Sequence, residues 1–315
     1  MRPLKTMHRS RRDASWIRKH LTGYGFVSPW IIGFILLTAG PMIFSLYLSL
    51  TRATLLSPPK WVGLDNYLHM VADDPLFFTS LWNTVYFVAF SVPLGLLVSL
   101  ILALLLHQRL KGIGVFRTVF FLPSITNMVA VSVLWLWIFN PEFGLINTFL
   151  DAFGIRGPMW LQSESWAKPA LIIMSLWGIG GTMIIFLAAL QGVPQNLYEA
   201  AELDGAGKIR KFWHVTLPMI SPAFVFNLII GVIGSFQVFT QAFVMTGGAQ
   251  PGSEGGPNNA TLFYVLYLYK KAFQEFRMGY ASALAWVLFI IILLCTVVLM
   301  KMSKSRVYYE GVDQK

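Results

Sequence analysis

LWNTVYFVAFSVPLGLLVSLILALLL fills Leu81–Leu106 and contains no aspartate, glutamate, lysine or arginine. The hydrocarbon core of a bilayer is about 30 Å thick, so a helix needs about 20 apolar residues to cross it. Backbone amides inside lipid have no water to bond, so a crossing segment of this kind must satisfy them as a helix. The stretch therefore predicts a membrane-spanning helix and decides the class of fold.

Further stretches of the same length and character lie on both sides of it. They are Val27–Leu50, Thr118–Asn140, Ala170–Leu190, Ala223–Thr246 and Tyr280–Met300. Of the 315 residues, 56% are hydrophobic and 12% are charged, which is about half the charged share of an ordinary soluble domain. We expect an all-α integral membrane protein with six transmembrane helices in a domain that covers residues 27–300.

The positions of lysine and arginine predict the orientation of the chain. With both termini in the cytoplasm, 17 of these residues fall on the inner side and seven on the outer side, as the positive-inside rule favours. We expect residues 1–26 to be a basic cytoplasmic leader, not a cleaved signal peptide, and residues 301–315 to be a cytoplasmic tail. Since topology accounts for the net charge of +10, we expect contact with membrane lipid and no nucleic-acid partner.

No group of residues in the sequence has the spacing of a catalytic, metal or nucleotide site. The five histidines are scattered and Cys295 is the single cysteine, so neither a thiolate cluster nor a histidine pair is indicated. The P-loop pattern fails because Ile209 follows Gly207-Lys208, where the pattern needs serine or threonine. We expect no enzyme activity and no cofactor in this chain.

The loop between the fourth and fifth predicted spans, residues 191–222, has a pattern of its own. It predicts two short helices, at about Gln195–Asp204 and Lys208–Leu217, with glycines between them and Pro218 at the end. A compact hairpin with small residues at its tip suits docking against another protein. An amphipathic hairpin lying on the lipid is the alternative that composition leaves open.

Part of this loop, residues 199–222, reads EAAELDGAGKIRKFWHVTLPMISP. It resembles the EAA loop of permease subunits in binding-protein-dependent ATP-binding-cassette (ABC) importers. Other segments, among them WVGLDNY at Trp61–Tyr67 and GYASALAWVL at Gly279–Leu288, resemble the carbohydrate branch of these importers and, within it, the larger maltose-type permease subunit.

The resemblance implies a permease subunit that carries a sugar or oligosaccharide across the cytoplasmic (inner) membrane of a prokaryote. It implies that the loop holds a cytoplasmic coupling helix between helices 4 and 5. The residues implied to dock on the ATPase are Glu199, Ala200, Ala201, Asp204, Gly205, Ala206 and Pro218. The implied partners are ATP-binding cassette ATPase subunits, which would bind ATP and Mg, a second permease subunit and an extracytoplasmic solute-binding protein.

Polar and aromatic residues within the predicted spans are candidates for the path of the carbohydrate. We select Asn127, Asn227, Gln237, Phe239 and Gln241. Hydrogen bonding between helices is the competing explanation for each polar one. At about 100° per residue, the candidates of the fifth span cannot all share one helix face.

Two other transporter classes remain as alternatives. A glycerol-phosphate importer of the same type would need cationic residues near the path. A secondary transporter driven by protons or sodium usually carries ionisable residues inside its spans, and the six stretches contain none of the acidic or basic kind.

Overall fold

The computed structural model describes residues 22–54, 57–108, 111–247 and 255–303. The predicted leader up to residue 21 and the predicted tail from residue 304 lie outside these ranges. The helices in chain order are α1 (Thr22–Ser49), α2 (Asp65–Ala72), α3 (Pro75–Leu106), α4 (Ile113–Ile125), α5 (Met128–Ile138), α6 (Leu145–Asp151), α7 (Glu164–Gly178), α8 (Gly180–Gln191), α9 (Gln195–Leu203), α10 (Lys208–Met219), α11 (Ser221–Phe236), α12 (Thr240–Met245), α13 (Tyr264–Tyr269) and α14 (Met278–Ser303). Both predicted domain boundaries, at residues 26 and 300, fall inside helices α1 and α14.

The apolar helices agree with the predicted class of fold. Within the described residues, α1, α3 and α14 are each long and apolar enough to cross a membrane alone. Three bent pairs meet the same criterion together: α4 with α5, α7 with α8, and α10 with α11, at angles of 101°, 49° and 66°. This part of the chain therefore has three candidate spans, or six if each bent pair is one span.

The expectation of one unbroken helix over Thr118–Asn140 is wrong. The chain turns sharply after Ile125, and Asn127 then caps α5 by accepting a hydrogen bond from the amide of Val129 at 2.9 Å. An asparagine in this position starts a new helix because it satisfies an amide that has no partner within the helix.

The helix over Ala170–Leu190 is also divided, at Ile179. The next residue, Gly180, lies against the backbone of α4, where an added Cβ would stand 2.5 Å from the carbonyl oxygen of Phe120. Glycine is therefore required at this position, because the bend between α7 and α8 places it in close contact with the backbone of α4.

The fifth predicted span, Ala223–Thr246, is likewise not continuous. Phe239 lies between α11 and α12 with φ −141° and ψ −62°, outside the helical region. Its ring centroid is 5.2 Å from those of both Phe243 and Tyr269. No proline or glycine lies between the two helices, so we attribute this break to aromatic packing from another part of the chain.

A two-stranded antiparallel hairpin follows α1, so the prediction of an all-α chain is wrong in this segment. Strand β1 (Thr51–Thr54) pairs with β2 (Ser57–Trp61). Asn66, in the WVGLDNY segment, donates its amide to the carbonyl oxygens of Ser49 and Thr51 at 2.8 and 2.9 Å. The segment therefore ties the hairpin to the end of α1.

Helix α3 lies at the centre of the bundle, against α7, α8, α11 and α13, while α14 packs against α1 and α11. At the start of α3, Asp74 accepts hydrogen bonds from the amides of Leu76 and Phe77. Its second carboxylate oxygen accepts from the hydroxyls of Tyr267 and Tyr280. We name Asp74, Tyr267 and Tyr280 the outer clamp, because they join α3, α13 and α14.

The electrostatics of the outer clamp favour an ionised Asp74. Burial raises the pKa of Asp74, but the hydroxyls of Tyr267 and Tyr280, the charge of Lys271 and the amide of Phe77 together lower it more. The pKa of this carboxyl therefore lies below its ordinary value, since the groups around it donate to or attract the charged form.

Candidate functional site

The segment between α8 and α11 folds as a helical hairpin of α9 and α10. Its first arm, α9, ends at Leu203, one residue before the predicted end. The prediction that Pro218 ends the second helix is wrong, because α10 continues to Met219. Proline has no amide hydrogen for the carbonyl four residues earlier, and the preceding turn widens to a π-helix over Phe212–Thr216.

The tip of the α9–α10 hairpin is a helix stop built around Gly205. This residue has φ +76°, where a residue with a side chain costs about 1–2 kcal/mol more. Its amide donates to the carbonyl of Glu202 at 2.9 Å, and the amide of Ala206 donates to that of Ala201 at 2.8 Å. This is a Schellman motif, so the D-G-A sequence ends α9 and reverses the chain.

Large apolar side chains are exposed at the tip and along the second arm. The exposed fraction is 91% for Leu203, 78% for Ile209 and 58% for Trp213. Apolar groups that stand in solvent beside charged ones mark a contact surface. The α9–α10 hairpin therefore presents a surface for another body, either a protein or the lipid headgroups.

Two glutamates of α9 that look alike in the sequence differ in the structure. Glu202 forms an ion pair with Lys211 of the second arm, at 2.5 Å. Glu199 is exposed, and its side chain makes no hydrogen bond or ion pair within the described ranges. A carboxylate without an internal partner is available to a cation of another molecule, so Glu199 is the better candidate for docking.

The structure brings most of the predicted coupling residues together. Glu199, Ala200 and Ala201 lie on α9, while Asp204, Gly205 and Ala206 form the tip. Pro218 lies apart from them, in the last turn of α10, where the hairpin joins α11. Their contact with an ATPase stays a prediction.

A cavity of about 190 Å³ with both polar and apolar lining residues lies between α3, the bend of α7 and α8, and α11. Its lining contains no charged residue. The residues that give it polar side chains are Ser91, Ser175, Thr182, Asn227 and Ser235.

Asn227 is the cavity residue whose hydrogen bonding is incomplete. Its side chain is only 5% exposed, and its Nδ2 has no hydrogen-bond partner in the structure. A buried donor without a partner costs about 1–3 kcal/mol. Such a group in a cavity wall is available to an oxygen acceptor of a ligand, for example a sugar hydroxyl.

The other predicted path residues do not line this cavity. Asn127 is exposed at the bend between α4 and α5, and Gln237 is exposed at the end of α11. Phe239 and Gln241 are partly buried, just before and within α12. A role in the path stays a prediction for each of these four.

Ser91, Ser175 and Thr182 were not predicted as path residues, because serine and threonine are common in apolar helices. A signal for two of them is present: on each wall of the cavity a serine lies three or four residues from a glycine. The pairs are Ser91 with Gly95, Ser175 with Gly178, and Gly231 with Ser235. Glycine leaves space beside the hydroxyl, so this spacing is typical of a polar void between helices.

The chain is similar to known transport proteins along almost its whole length. A family described as "Binding-protein-dependent transport system inner membrane component" matches residues 91–307. The probable ABC transporter permease protein YesP of Bacillus subtilis is 43% identical over 96% of this chain and 97% of its own length. The arabinooligosaccharides transport system permease protein AraP of Bacillus subtilis is 31% identical over 97% of this chain and 98% of its own.

The fold has a counterpart among solved structures. A bacterial ABC transporter involved in the import of the acidic polysaccharide alginate contains a chain that superposes with a TM-score of 0.80. The match covers 93% of this chain and 99% of that one, at 24% sequence identity. At this identity the likeness concerns the fold.

Proposed function

Because this chain belongs to the family of binding-protein-dependent transport system inner membrane components, we propose that it is the permease subunit of an ATP-driven ABC importer for a sugar or oligosaccharide. It is a transport permease and not an enzyme. The observation that carries the proposal is the α9–α10 hairpin, which exposes Glu199 beside apolar side chains and without a hydrogen-bond or ion-pair partner among the described residues. ATP and Mg are bound by separate ATPase subunits in this proposal.

The proposed topology has six spans, made of α1, α3, α14 and the three bent pairs. Both termini lie in the cytoplasm, with the leader at 1–26, the permease domain at 27–300, the coupling loop at 191–222 and the tail at 301–315. The asymmetry of lysine and arginine supports this orientation. The proposed location is the cytoplasmic membrane of a prokaryote as a multi-pass protein, which the similarity to permease proteins of Bacillus subtilis supports.

Coupling runs from the hairpin to the cavity. The second arm, α10, passes into α11 through a bend of 66°, and α11 carries Asn227 and Ser235 in the cavity wall. When the ATPase subunits close on ATP, the hairpin moves with them and α11 changes its position. The ATPase and the solute then bias the same conformational equilibrium, as energy coupling requires.

Three kinds of partner belong to the proposal. ATPase subunits receive the α9–α10 hairpin, and an extracytoplasmic binding protein delivers the solute. A second permease subunit completes the core with this one. The apolar surface of α1, where Phe26 is 85% and Leu37 81% exposed, supports burial in lipid and against such a subunit.

The cavity supports a neutral hydroxyl-rich solute. Serine, threonine and asparagine side chains can bond to sugar hydroxyls, whereas a phosphate there would meet no lysine or arginine. A buried charge without a partner is costly, which disfavours the glycerol-phosphate alternative. The volume of about 190 Å³ is below the 300–1,000 Å³ or so of most ligand sites, so an oligosaccharide requires the cavity to open.

Uptake in the source organism tests the solute class. We compare a strain lacking this chain with its parent, using labelled arabino-oligosaccharides, maltose, lactose, glycerol 3-phosphate and histidine. We expect loss of ATP-dependent uptake of at least one saccharide, restored by the wild-type chain, with histidine uptake unchanged. Loss confined to glycerol 3-phosphate, or uptake that follows the proton gradient instead of ATP, would contradict the proposal.

A further inference from the structure

The α9–α10 hairpin is closed at its base by a hydrogen bond between two hydroxyls. The Oη of Tyr198 and the Oγ1 of Thr216 are 2.9 Å apart. Thr216 is only 6% exposed, while most other residues of the hairpin stand in solvent. The bond joins the first turn of α9 to the end of the π-helical turn in α10.

The widened turn decides which way Thr216 points. A π-helical turn closes its backbone hydrogen bond over five residues, whereas an α-helical turn closes it over four. The residues after a π-helical turn are therefore rotated about the helix axis relative to a continuous α-helix. Thr216 is the last residue of that turn, and its Oγ1 also lies 3.5 Å from the carbonyl oxygen of Lys211. The Thr216 hydroxyl thus faces Tyr198 from the end of the widened turn, two residues before Pro218.

A second contact joins the arms nearer the tip. Lys211 Nζ meets Glu202 Oε1 at 2.5 Å, with the two side chains 18% and 63% exposed. An ion pair open to solvent contributes only about 0.2–1 kcal/mol. The partly buried hydroxyl pair is therefore less screened by solvent than this ion pair.

In the proposed function, a movement of α9 has to be passed on to α10. The residues that dock in the proposed function, Glu199 to Ala201, lie on α9, but the connection to α11 and the cavity runs through α10. Covalently the arms are joined only by the tip, where Gly205 and Gly207 allow wide backbone freedom. If the arms could separate, the ATPase would move α9 while α10 and the cavity stayed in place.

We propose that Tyr198 and Thr216 are positioning residues for coupling: their hydrogen bond makes the α9–α10 hairpin one rigid lever. This inference rests on the proposed function. Loss of the hydrogen bond between Tyr198 and Thr216 then leaves docking and ATP hydrolysis intact but weakens the response of the cavity to ATP. A merely structural role would lower all three together.

The test reads the cavity without needing to know the sugar. In the assembled importer, Cys295 is replaced by serine and Ser235, in the cavity wall, by cysteine, so that this cysteine is the only one in the chain. We measure its rate of reaction with a small maleimide in the nucleotide-free state and after trapping with ATP, Mg and vanadate. ATP hydrolysis and the amount of co-purified ATPase are measured on the same preparations.

The variants are Tyr198→Phe, Thr216→Val and both together, with Thr216→Ser as the conservative control. We expect the ratio of the two reaction rates to fall by about three- to tenfold in each single variant, the factor that one ordinary hydrogen bond represents. The double variant is no worse than either single one, because both lack the same bond. Thr216→Ser keeps the ratio of the parent, and ATP hydrolysis stays within about twofold throughout.

Two results overturn the inference while leaving the proposed function in place: an unchanged ratio in Tyr198→Phe and Thr216→Val, or loss of the ATPase from these variants, which would make the bond a part of docking. A parent protein that binds no ATPase, or whose cysteine reacts at the same rate with and without ATP, would contradict both the proposed function and this inference.

Discussion

At the residue scale, two asparagines that are similarly buried, Asn66 and Asn227, have opposite roles. Asn66 is 9% exposed and donates both hydrogens of its amide to backbone carbonyls. Asn227 is 5% exposed, and its amide nitrogen has no hydrogen-bond partner within the part of the chain that the structure describes. The first arrangement stabilises the chain, whereas the second has an unfavourable energy that a ligand would relieve.

This difference leads to opposite expectations for the same substitution. Asn227→Leu removes a donor that has no partner, so the unfolding temperature in detergent stays equal or rises. Sugar uptake falls at least about tenfold, which corresponds to the loss of one good hydrogen bond to the solute. Asn66→Leu, the matched control, lowers the free energy of unfolding by about 1–3 kcal/mol, because two carbonyls lose their donor.

Normal uptake by Asn227→Leu would show that this amide does not touch the solute. Destabilisation equal to that of Asn66→Leu would show that its role is structural.

A second expectation at this scale concerns the tip of the hairpin. Gly205→Asp places a side chain at φ +76°, at a cost of about 1–2 kcal/mol, and adds bulk where the tip enters the ATPase. We expect loss of transport with normal insertion into the membrane, measured by uptake and by the amount of chain in membrane fractions. Gly207→Asp is the control, since Gly207 has an ordinary φ of −70°.

The control variant should lose less transport than Gly205→Asp. Full transport by Gly205→Asp would remove the tip from the docking surface.

At the scale of elements, the sequence predicts the helices whose length and apolar content suffice. Leu81–Leu106 lies wholly inside α3, and Tyr280–Met300 inside α14. Two breaks escape prediction because they depend on contacts from elsewhere in the chain: the bend between α7 and α8, and the break between α11 and α12. Gly180 lies against the backbone of α4, and Phe239 packs on Tyr269 of a distant segment. The hydropathy of the sequence does not reveal either contact.

The candidate site divides in the same way. The α9–α10 hairpin follows from local chemistry, because D-G-A specifies a helix stop and EAA specifies a helix. The difference between Glu199 and Glu202 depends on the position of Lys211 across the hairpin, which requires the fold. The cavity forms only where α3, the bend of α7 and α8, and α11 meet in the fold, and Asn227 is the one predicted path residue that lines it.

The outer clamp gives an expectation for one element junction. Asp74→Asn removes the charge that two tyrosine hydroxyls bond, so we expect the free energy of unfolding at pH 7 to fall by about 1–3 kcal/mol. Asp73→Asn is the matched control: its side chain is 71% exposed, and we expect a change within about 0.5 kcal/mol. Thermal unfolding of both variants in the same detergent provides the comparison.

The pH dependence of this contribution has a definite sign. The pKa of Asp74 is held below its ordinary value of 3.8, so its stabilisation is present above that value and is lost as the pH falls through the lower folded pKa. The difference in stability between wild type and Asp74→Asn should therefore be constant near neutrality and shrink below about pH 4. A difference that persists unchanged into acid would contradict an ionised clamp.

At the scale of the whole molecule, two sites lie in different parts of the chain. The α9–α10 hairpin offers a surface to a partner, and α11 connects it to a neutral polar cavity. A secondary transporter would not need such a hairpin, and it would usually carry an ionisable residue in its path. The lining of this cavity contains no ionisable residue, which fits an importer that takes its driving energy from a separate ATPase.

The central claim is that the α9–α10 hairpin binds an ATPase through Glu199. The most direct measurement is affinity purification of the tagged chain from its native membrane, with mass spectrometry of the proteins that accompany it. Wild type is compared with Glu199→Lys and with Glu142→Lys, which makes the same charge change at an exposed residue before α6. We expect an ABC ATPase and a second permease to co-purify with wild type and with Glu142→Lys, and only the second permease to co-purify with Glu199→Lys. A wild-type chain that purifies alone or as a homo-oligomer would contradict this claim, as would a Glu199→Lys chain that keeps its ATPase.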